Sequence, residues 1–404
     1  MESCINTPIN NKATSTLEVG SLIFSFDSHL DDFTLCVVKH GEVVSTIKNL
    51  PASRKALKAQ ASLLQNGVAV VEGSSTAHPL LWELKRLNVE VGMVNPLKVR
   101  NLRRGFFKDC KNDRIDAAAS AMVVDRMREK PREPGDTELR ILARHLQSLT
   151  KRLTQVKLKA WWLLYNLNTN YRKCFDDLFC KASRILLEQY TPQDLEEMSL
   201  EELEEALRSA YPRYDSEKAR LVKGLLEDGL RGNVGQGGVM VLRDLLRELR
   251  DLERRIEETE KYLVRLVEER FGESLKLLQT IPGVSAEQAA VILAELGDVN
   301  RFPTVDKVVA FAGLDPKVRE SGKWKGKRKL SKKGSPTLRT VLYRTAMGCR
   351  FKNPVVNAEY ERMRSEGRSY KEALVSSSRK LLKVVYAVLR DRKPFYVPEN
   401  LPDP

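Results

Sequence analysis

The 404-residue sequence predicts an α/β domain, then a long coiled-coil helical middle, then a mostly helical C-terminal domain carrying a helix-hairpin-helix. Three observations carry that expectation. Short apolar runs alternate with helical stretches over residues 19–96. Two apolar seams in the middle of the chain repeat at steps of three and four. A Pro-Gly turn at Pro282–Gly283 joins two helical stretches.

The elements follow in order. VGSLIFSFDS is a continuous apolar run containing Asp27 at its end, DFTLCVVKH alternates, and GEVVSTIKN follows a His-Gly turn, which gives three strands. SRKALKAQASLLQ reads as helix and leads into GVAVVEGS, a buried-strand run ending at Glu72. Helix HPLLWELKRLN precedes VEVGMVNP, a strand stopped by Pro96, and RIDAAASAMVVDRMR at 114–128 is a further helix. Strands that are apolar throughout belong in sheets covered on both faces. The order βββαβαβ matches a ribonuclease-H-like layout.

The middle changes period. Leu142, Leu146, Leu149, Leu153, Val156, Ala160, Leu163 and Leu167 form one seam. Leu242, Leu245, Leu249, Leu252, Ile256, Thr259, Leu263 and Leu266 form the second. Such heptads are a coiled-coil signal, satisfied either by an antiparallel hairpin or by copies from another subunit. Between them lie an acidic stretch over 188–205, with eight acids and no base, and the glycine-rich break GNVGQGG. A solvated face is the expectation for the acidic stretch. From 276, LKLLQTIPGVSAEQAAVILAELGD places a Pro-Gly turn between two helices, where turn amides and a helix N-terminus can receive a DNA phosphate. The expected boundaries are a tail over 1–17, the α/β domain over 18–138, the coiled-coil linker over 139–272, the helical domain over 273–392 and a Pro-rich tail over 393–404.

Charge narrows the function. Against 54 acids stand 69 Lys and Arg, a net +15, which disfavours a small-metabolite enzyme and points to a polyanionic partner. Residues 301–352 alone carry +12, and the densest part is PKVRESGKWKGKRKLSKKGSPTLR. A phosphate backbone relieves such self-repulsion by releasing counterions. Arg319, Lys323, Lys325, Lys327, Arg328, Lys329, Lys332, Lys333 and Arg339 are the expected nucleic-acid contacts there, joined by Arg103, Arg104 and Lys108 from KVRNLRRGFFKDCK. No stretch approaches the roughly 20 apolar residues of a membrane span, and no signal-peptide pattern opens the chain. Six cysteines without a CxxC pair read as thiols of a reducing, cytoplasmic compartment. No P-loop and no zinc-spaced His–Cys cluster is present.

Four carboxylates fall where metal-dependent phosphoryl chemistry needs them. Asp27 and Glu72 end strands, while Asp113 and Asp116 open a helix three residues apart and so share a face. Hard Mg²⁺ prefers carboxylate oxygen, and two ions about 4 Å apart can activate a nucleophile and stabilise a leaving oxygen. The competing reading for Asp113 or Asp116 singly is a dipole-favoured first-turn acid. His29, Asp31 and Asp32 read as turn residues, and Asp109 as a weaker competitor for a metal position.

These residues together resemble a family. Asp27, VEGSSTAH with Glu72, VNPLKVR and NDRIDA with Asp113 and Asp116 resemble the RuvC-like DEDD domain of insertion-sequence-110 family transposases. IPGVSAEQAAVILAELGD, FAGLDP, ESGKWKGKRKLSKKGS and LR resemble the same family's second domain. The resemblance implies a DNA recombinase that cuts and rejoins strands through a covalent phosphoserine, with Mg²⁺ on the four acids and the nucleophile at Ser321. Ser331 and Ser335 are rival serines. It further implies a noncoding bridge-type guide RNA pairing with target and donor double-stranded DNA, in a bacterial or archaeal, nucleoid-associated protein. A composite site, in which one protomer's acids meet another's serine within a homo-oligomer, is the arrangement expected here. The sequence departs from the family pattern in FSFDSHLDDF, which lacks the usual glycine and lysine around the aspartate, and in its acidic insert. The alternatives are a RuvC-like junction resolvase or nuclease in which the acids activate water, and a non-catalytic nucleic-acid-binding module.

Overall fold

The apolar runs of the N-terminal third form one five-stranded sheet. The computed structural model describes residues 22–40, 42–73, 76–106, 113–125, 136–317, 320–321, 324–325 and 329–397; for 106, 113, 114, 125, 317, 320, 321, 324, 325 and 329 this covers the backbone alone. The chain divides into two units, residues 1–134 and 135–404.

In the first unit the strands are β1 (Leu22–Ser28), β2 (Asp32–Lys39) and β3 (Glu42–Pro51). Helices α1 (Arg54–Ala59) and α2 (Ala61–Leu64) follow, so the single expected helix breaks at Gln60. Then come β4 (Gly67–Glu72), α3 (Ala77–Arg86), β5 (Glu90–Val94), α4 (Pro96–Phe106) and α5 (Asp113–Asp125). The sheet order is β3-β2-β1-β4-β5, with β1 antiparallel to β2 and parallel to β4. Side chains alternate across each strand. Phe24 and Phe26 therefore join Leu57, Leu64, Leu81 and Leu84 from α1 to α3 on one face. Both rings are fully buried, and each contributes on the order of 2 kcal/mol. Ile23, Val38 and Val70 meet Val99, Leu102 and Met122 of α4 and α5 on the other. The run Ala117–Ala119 and Ala121 of α5 is buried, and small side chains let this helix lie close to the strands.

The second unit is helical apart from short ladders. Its first helix, α6 (Thr137–Leu167), is capped by Asp136. Helices α7 (Lys181–Gln189), α8 (Pro192–Glu197), α9 (Leu200–Ala210) and α10 (Ser216–Glu227) fill the segment between the two seams. Next comes α11 (Gly235–Gln279), interrupted by non-helical backbone at Phe271. Leu139 and Leu146 cluster with Leu263 and Leu266, and Leu163 and Leu167 with Leu242 and Leu246, so α6 and α11 pack antiparallel within one chain. The second cluster also draws in α7, α9 and α10, which makes the seams part of a larger helical core.

The acidic stretch is more than a solvated face. Thr191 with Asp194 and Ser199 with Glu202 form capping boxes that open α8 and α9. Glu196 is buried and accepts from Arg231 at 2.5 Å, and Glu188 pairs with Arg250 of α11. Acids here satisfy helix N-termini and bind the neighbouring helix.

Beyond α11 lie α12 (Ala286–Leu296), α13 (Val305–Ala312), α14 (Pro336–Lys352), α15 (Pro354–Ser365) and α16 (Tyr370–Asp391). The Pro-Gly turn joins α11 to α12 as expected, with Gly283 at φ +89. Its Cα lies against α14, and a β-carbon there would come within 2.8 Å of the Cys349 Cα. Ser285 and Gln288 close a capping box over the first turn of α12. The turn is thus packed into the helical domain.

Candidate active site

Asp27 and Glu72 stand at the carboxyl ends of neighbouring parallel strands. Each is one residue past the registered pair Phe26↔Val71. Asp27 also pairs with Thr34 of β2, and Glu72 with Val94 of β5. By alternation Asp27 shares its face with Ile23, and Glu72 with Val70, and both of those side chains pack toward α4 and α5. α5 supplies Asp113 and Asp116, three residues apart. Asp27, Glu72 and Asp116 therefore belong to elements on the same side of the sheet. Asp116 is buried and accepts a hydrogen bond from Arg103 Nη1 at 2.5 Å. His29 Nε2 lies 3.6 Å from Asp27 Oδ2, within a turn closed by His29 N–H donating to the Asp32 carbonyl at 2.9 Å. A cleft lined by Ser28, His29, Phe33, Arg54, Thr76 and Leu80 opens beside this strand end. The side chain of Asp113 and all of Asp109 lie outside the described residues. Among the described residues no three His, Cys, Asp or Glu stand together as a metal-ligating group.

The three candidate serines are separated by their surroundings. Pro316 and Lys317 pair with Leu330 and Lys329, and inside that ladder Glu320 and Ser321 pair with Lys325 and Trp324. These short strands, β6 (Pro316–Lys317), β7 (Glu320–Ser321), β8 (Trp324–Lys325) and β9 (Lys329–Leu330), form a nested hairpin with Ser321 beside its tip. The basic stretch thus carries two short antiparallel ladders between the helices α13 and α14. Ser331 sits at the root: its N–H donates to the Asp315 carbonyl at 2.9 Å, and its hydroxyl donates to the Asp315 carboxylate. Ser335 caps α14 by accepting from Leu338 N–H at 3.1 Å and donates to Glu295 Oε2 at 2.8 Å. Ser331 and Ser335 are thus both occupied in holding the base of the basic stretch, and of Ser321 the backbone pairing with Trp324 is described.

Gly334 belongs to the same root. A β-carbon at Gly334 would fall 2.1 Å from the Phe311 carbonyl oxygen, so only glycine fits. Glu295, 1 % exposed, is the hub beneath: Arg144 Nε donates to it at 3.1 Å, and Arg140 Nη2 to its backbone carbonyl at 3.4 Å. Burial holds the Arg140 guanidinium below its ordinary range, against the opposing pull of Glu295. Glu295 and Asp315 were not among the expected site residues. The signal for Glu295 was present: one acid in an otherwise apolar run, AVILAEL.

The expected nucleic-acid contacts divide. Arg104, Lys332 and Lys333 are exposed. Arg103 is instead turned inward to Asp116, and Arg339 donates to the Ala312 carbonyl at 2.9 Å, where burial lowers its pKa. A buried carboxylate and an orphan carbonyl compete for these two guanidiniums and win over solvent. Lys108, Arg319, Lys323, Lys327 and Arg328 lie outside the described residues, and Lys325 and Lys329 are described in backbone only. No helix among the described residues is long and apolar enough to cross a membrane.

Two family models match the chain. One, described as a transposase of the DEDD insertion-sequence-110 type, covers residues 25–166; the other, described as the IS116/IS110/IS902 transposase family, covers residues 275–361. An uncharacterized 43.6 kDa protein of insertion element IS110 from Streptomyces coelicolor is 31 % identical over 115 residues, 28 % of each chain. An uncharacterized 42 kDa protein of insertion element IS900 from Mycobacterium paratuberculosis is 26 % identical over 301 residues, 70 % of this chain and 73 % of that one. An uncharacterized 44.8 kDa protein of insertion element IS116 from Streptomyces clavuligerus is 23 % identical over 335 residues, 80 % of this chain and 83 % of that one. The first model contains all four acids, and the second contains Ser321.

Proposed function

Because the chain belongs to the IS116/IS110/IS902 family of transposases, we propose that it is a DNA recombinase that cuts and rejoins strands through a covalent phosphoserine at Ser321. What supports the reading is a joint placement: Asp27, Glu72 and Asp116 on elements of one side of a sheet in the first unit, with Asp113 at the start of the helix that carries Asp116, and Ser321 in a short ladder within the basic stretch of the second. A serine hydroxyl is a weak nucleophile and needs its proton removed. As the Ser321 oxygen bonds to phosphorus, its proton passes to a base and the bond to the leaving deoxyribose oxygen breaks. The phosphodiester is thereby stored as a serine ester, and attack by a second deoxyribose hydroxyl restores DNA and releases the serine.

The all-carboxylate donor set of Asp27, Glu72, Asp113 and Asp116 fits a hard divalent cation such as Mg²⁺, two per site, which when bound supplies charge neutralisation at the phosphate. Arg103 already balances one of these acids in the chain itself. The exposed Lys332 and Lys333 at the root of the basic stretch would hold the strand by its phosphates. A noncoding bridge-type guide RNA that selects target and donor, and a homo-oligomer with composite sites, complete the proposal.

The decisive variant is Ser321→Ala. Under this reading no protein–DNA adduct forms on a nicked or duplex substrate, whereas cleavage that survives would favour the water-activating nuclease. Mixing an Asp27→Ala chain with a Ser321→Ala chain should restore partial strand exchange if sites are shared between protomers. Complete inactivity of the mixture at matched assembly would count against sharing. Copurification of a discrete RNA tests the guided part.

A further inference from the structure

The side of α6 turned away from its buried seam carries an unusual load. Leu158, Trp161, Trp162 and Tyr165 are all exposed there, with Trp162 58 % exposed, within two turns of one another. Trp161 and Tyr165 stack on each other at 5.4 Å and 23°. Packing does not explain them, because the core under this helix is built by Leu163, Leu164 and Leu167. Exposed apolar patches of this kind mark a binding surface.

Charge names the partner. From Leu139 to Leu167 the helix has no acid, but it has Arg140, Arg144, Lys151, Arg152, Lys157 and Lys159. Arg152 and Lys157 pair with Glu248 and Glu253 of α11. Lys151 and Lys159 are exposed and make no ion pair among the described residues. Trp161 and Tyr165 also line a shallow crevice with Asn168, Thr169 and the exposed Arg172. The nearest acids along the chain, Asp176 and Asp177, follow this turn, and the Asp177 carboxylate accepts from Phe179 N–H at 3.0 Å. A second copy of this same basic face would be repelled. Planar rings beside uncompensated cations suit nucleobases attached to phosphates.

We propose that this face, Trp161, Trp162 and Tyr165 with Lys159 and Arg172, is a stacking platform for single-stranded DNA. It rests on the chain acting on DNA but lies outside the strand-cutting site. Duplex DNA hides its base faces, so only an unpaired strand, as arises while strands are being exchanged, can use the rings. The cations follow its backbone.

Binding of a labelled oligo(dT) of about twelve nucleotides, within the ~4–16 nucleotide sites usual for single-strand platforms, tests this by fluorescence anisotropy at fixed salt. The full-length chain should bind it more tightly than a duplex of equal length. Trp161→Ala with Tyr165→Ala should weaken oligo(dT) binding roughly tenfold or more. Trp161→Phe should keep most of the affinity, and Lys159→Glu or Arg172→Glu should weaken binding and flatten its salt dependence. Unchanged affinity in the ring variants, at unchanged circular dichroism, would overturn the proposal. So would much tighter binding of oligo(U), which assigns the face to RNA, or a lowered oligomeric mass with oligo(dT) affinity intact, which makes it a subunit contact. The Ser321→Ala chain should bind oligo(dT) as the parent does, so failure of the phosphoserine reading and failure of this one are read separately.

Discussion

Ser335→Ala isolates the foundation of the basic stretch. The Ser335 hydroxyl accepts from Leu338 N–H at 3.1 Å and donates to Glu295 at 2.8 Å. Losing the cap costs about 1 kcal/mol. Losing a hydrogen bond to a charged group costs about 1.5–3 kcal/mol, and with Glu295 1 % exposed, water does not replace it. Together the two terms come to about 2.5–4 kcal/mol, and because Arg144 still holds the carboxylate the total lies in the lower half of that range, about 3 kcal/mol. For a unit covering residues 135–404, that loss lowers its melting midpoint by about 5 °C. Scanning calorimetry should show the higher-enthalpy transition shift while the transition of the first unit stays. Combining Ser335→Ala with Glu295→Gln should cost less than the sum of the two, because they share one hydrogen bond. A midpoint within about 1 °C of the parent would refute the idea that this hub carries the basic stretch.

Other outcomes follow from the same geometry. Ser331→Ala, which removes the hydroxyl bonded to Asp315, should lower stability but still permit a protein–DNA adduct, whereas Ser321→Ala should do the reverse; an adduct lost in both would undo the division of roles. Gly283→Ala must place a β-carbon within 2.8 Å of the Cys349 Cα at φ +89, and its unfolding free energy from urea titration should drop by more than the ~1 kcal/mol of the backbone term alone. Burial pushes the thiols of Cys174 and Cys349 up to about 12. Since an unfolded thiol ionises near pH 8.5, the folded chain holds more protons above about pH 9, and stability falls as pH rises from there toward 12. In the folded protein at pH 8, alkylation should therefore reach Cys180 well before Cys174 or Cys349; equal rates would contradict their burial.

Much of the fold was legible because its signals are local. The runs ending at Asp27, Glu72 and Val94 are dominated by apolar residues, and the structure pairs them in one sheet. The seam residues from Leu142 to Leu167 are buried or partly buried as their spacing requires. The side of the sheet on which Asp27 and Glu72 sit also follows from alternation alone. What stayed hidden depends on partners distant in sequence. Nothing near Arg103 announces that Asp116 will draw it inward. Nothing near Ser331 and Ser335 separates them from Ser321, since their partners, Asp315 and Glu295, come from other elements. The acidic stretch looked solvated because its cations, Arg231 and Arg250, are dozens of residues away. The nested hairpin lay in a basic run without alternation, where turn and strand signals are weak.

The buried alanines of α5 act as a ruler. Ala119 and Ala121 pack in one cluster with Ile23, Val38 and Val70 of the strands, and the helix carries Asp113 and Asp116 while the strands carry Asp27 and Glu72. One added methyl at Ala119 would thicken the spacer and shift two of the four acids, as a pair, away from the other two. The distance from this helix to the strands is therefore set by residues that have no chemistry of their own.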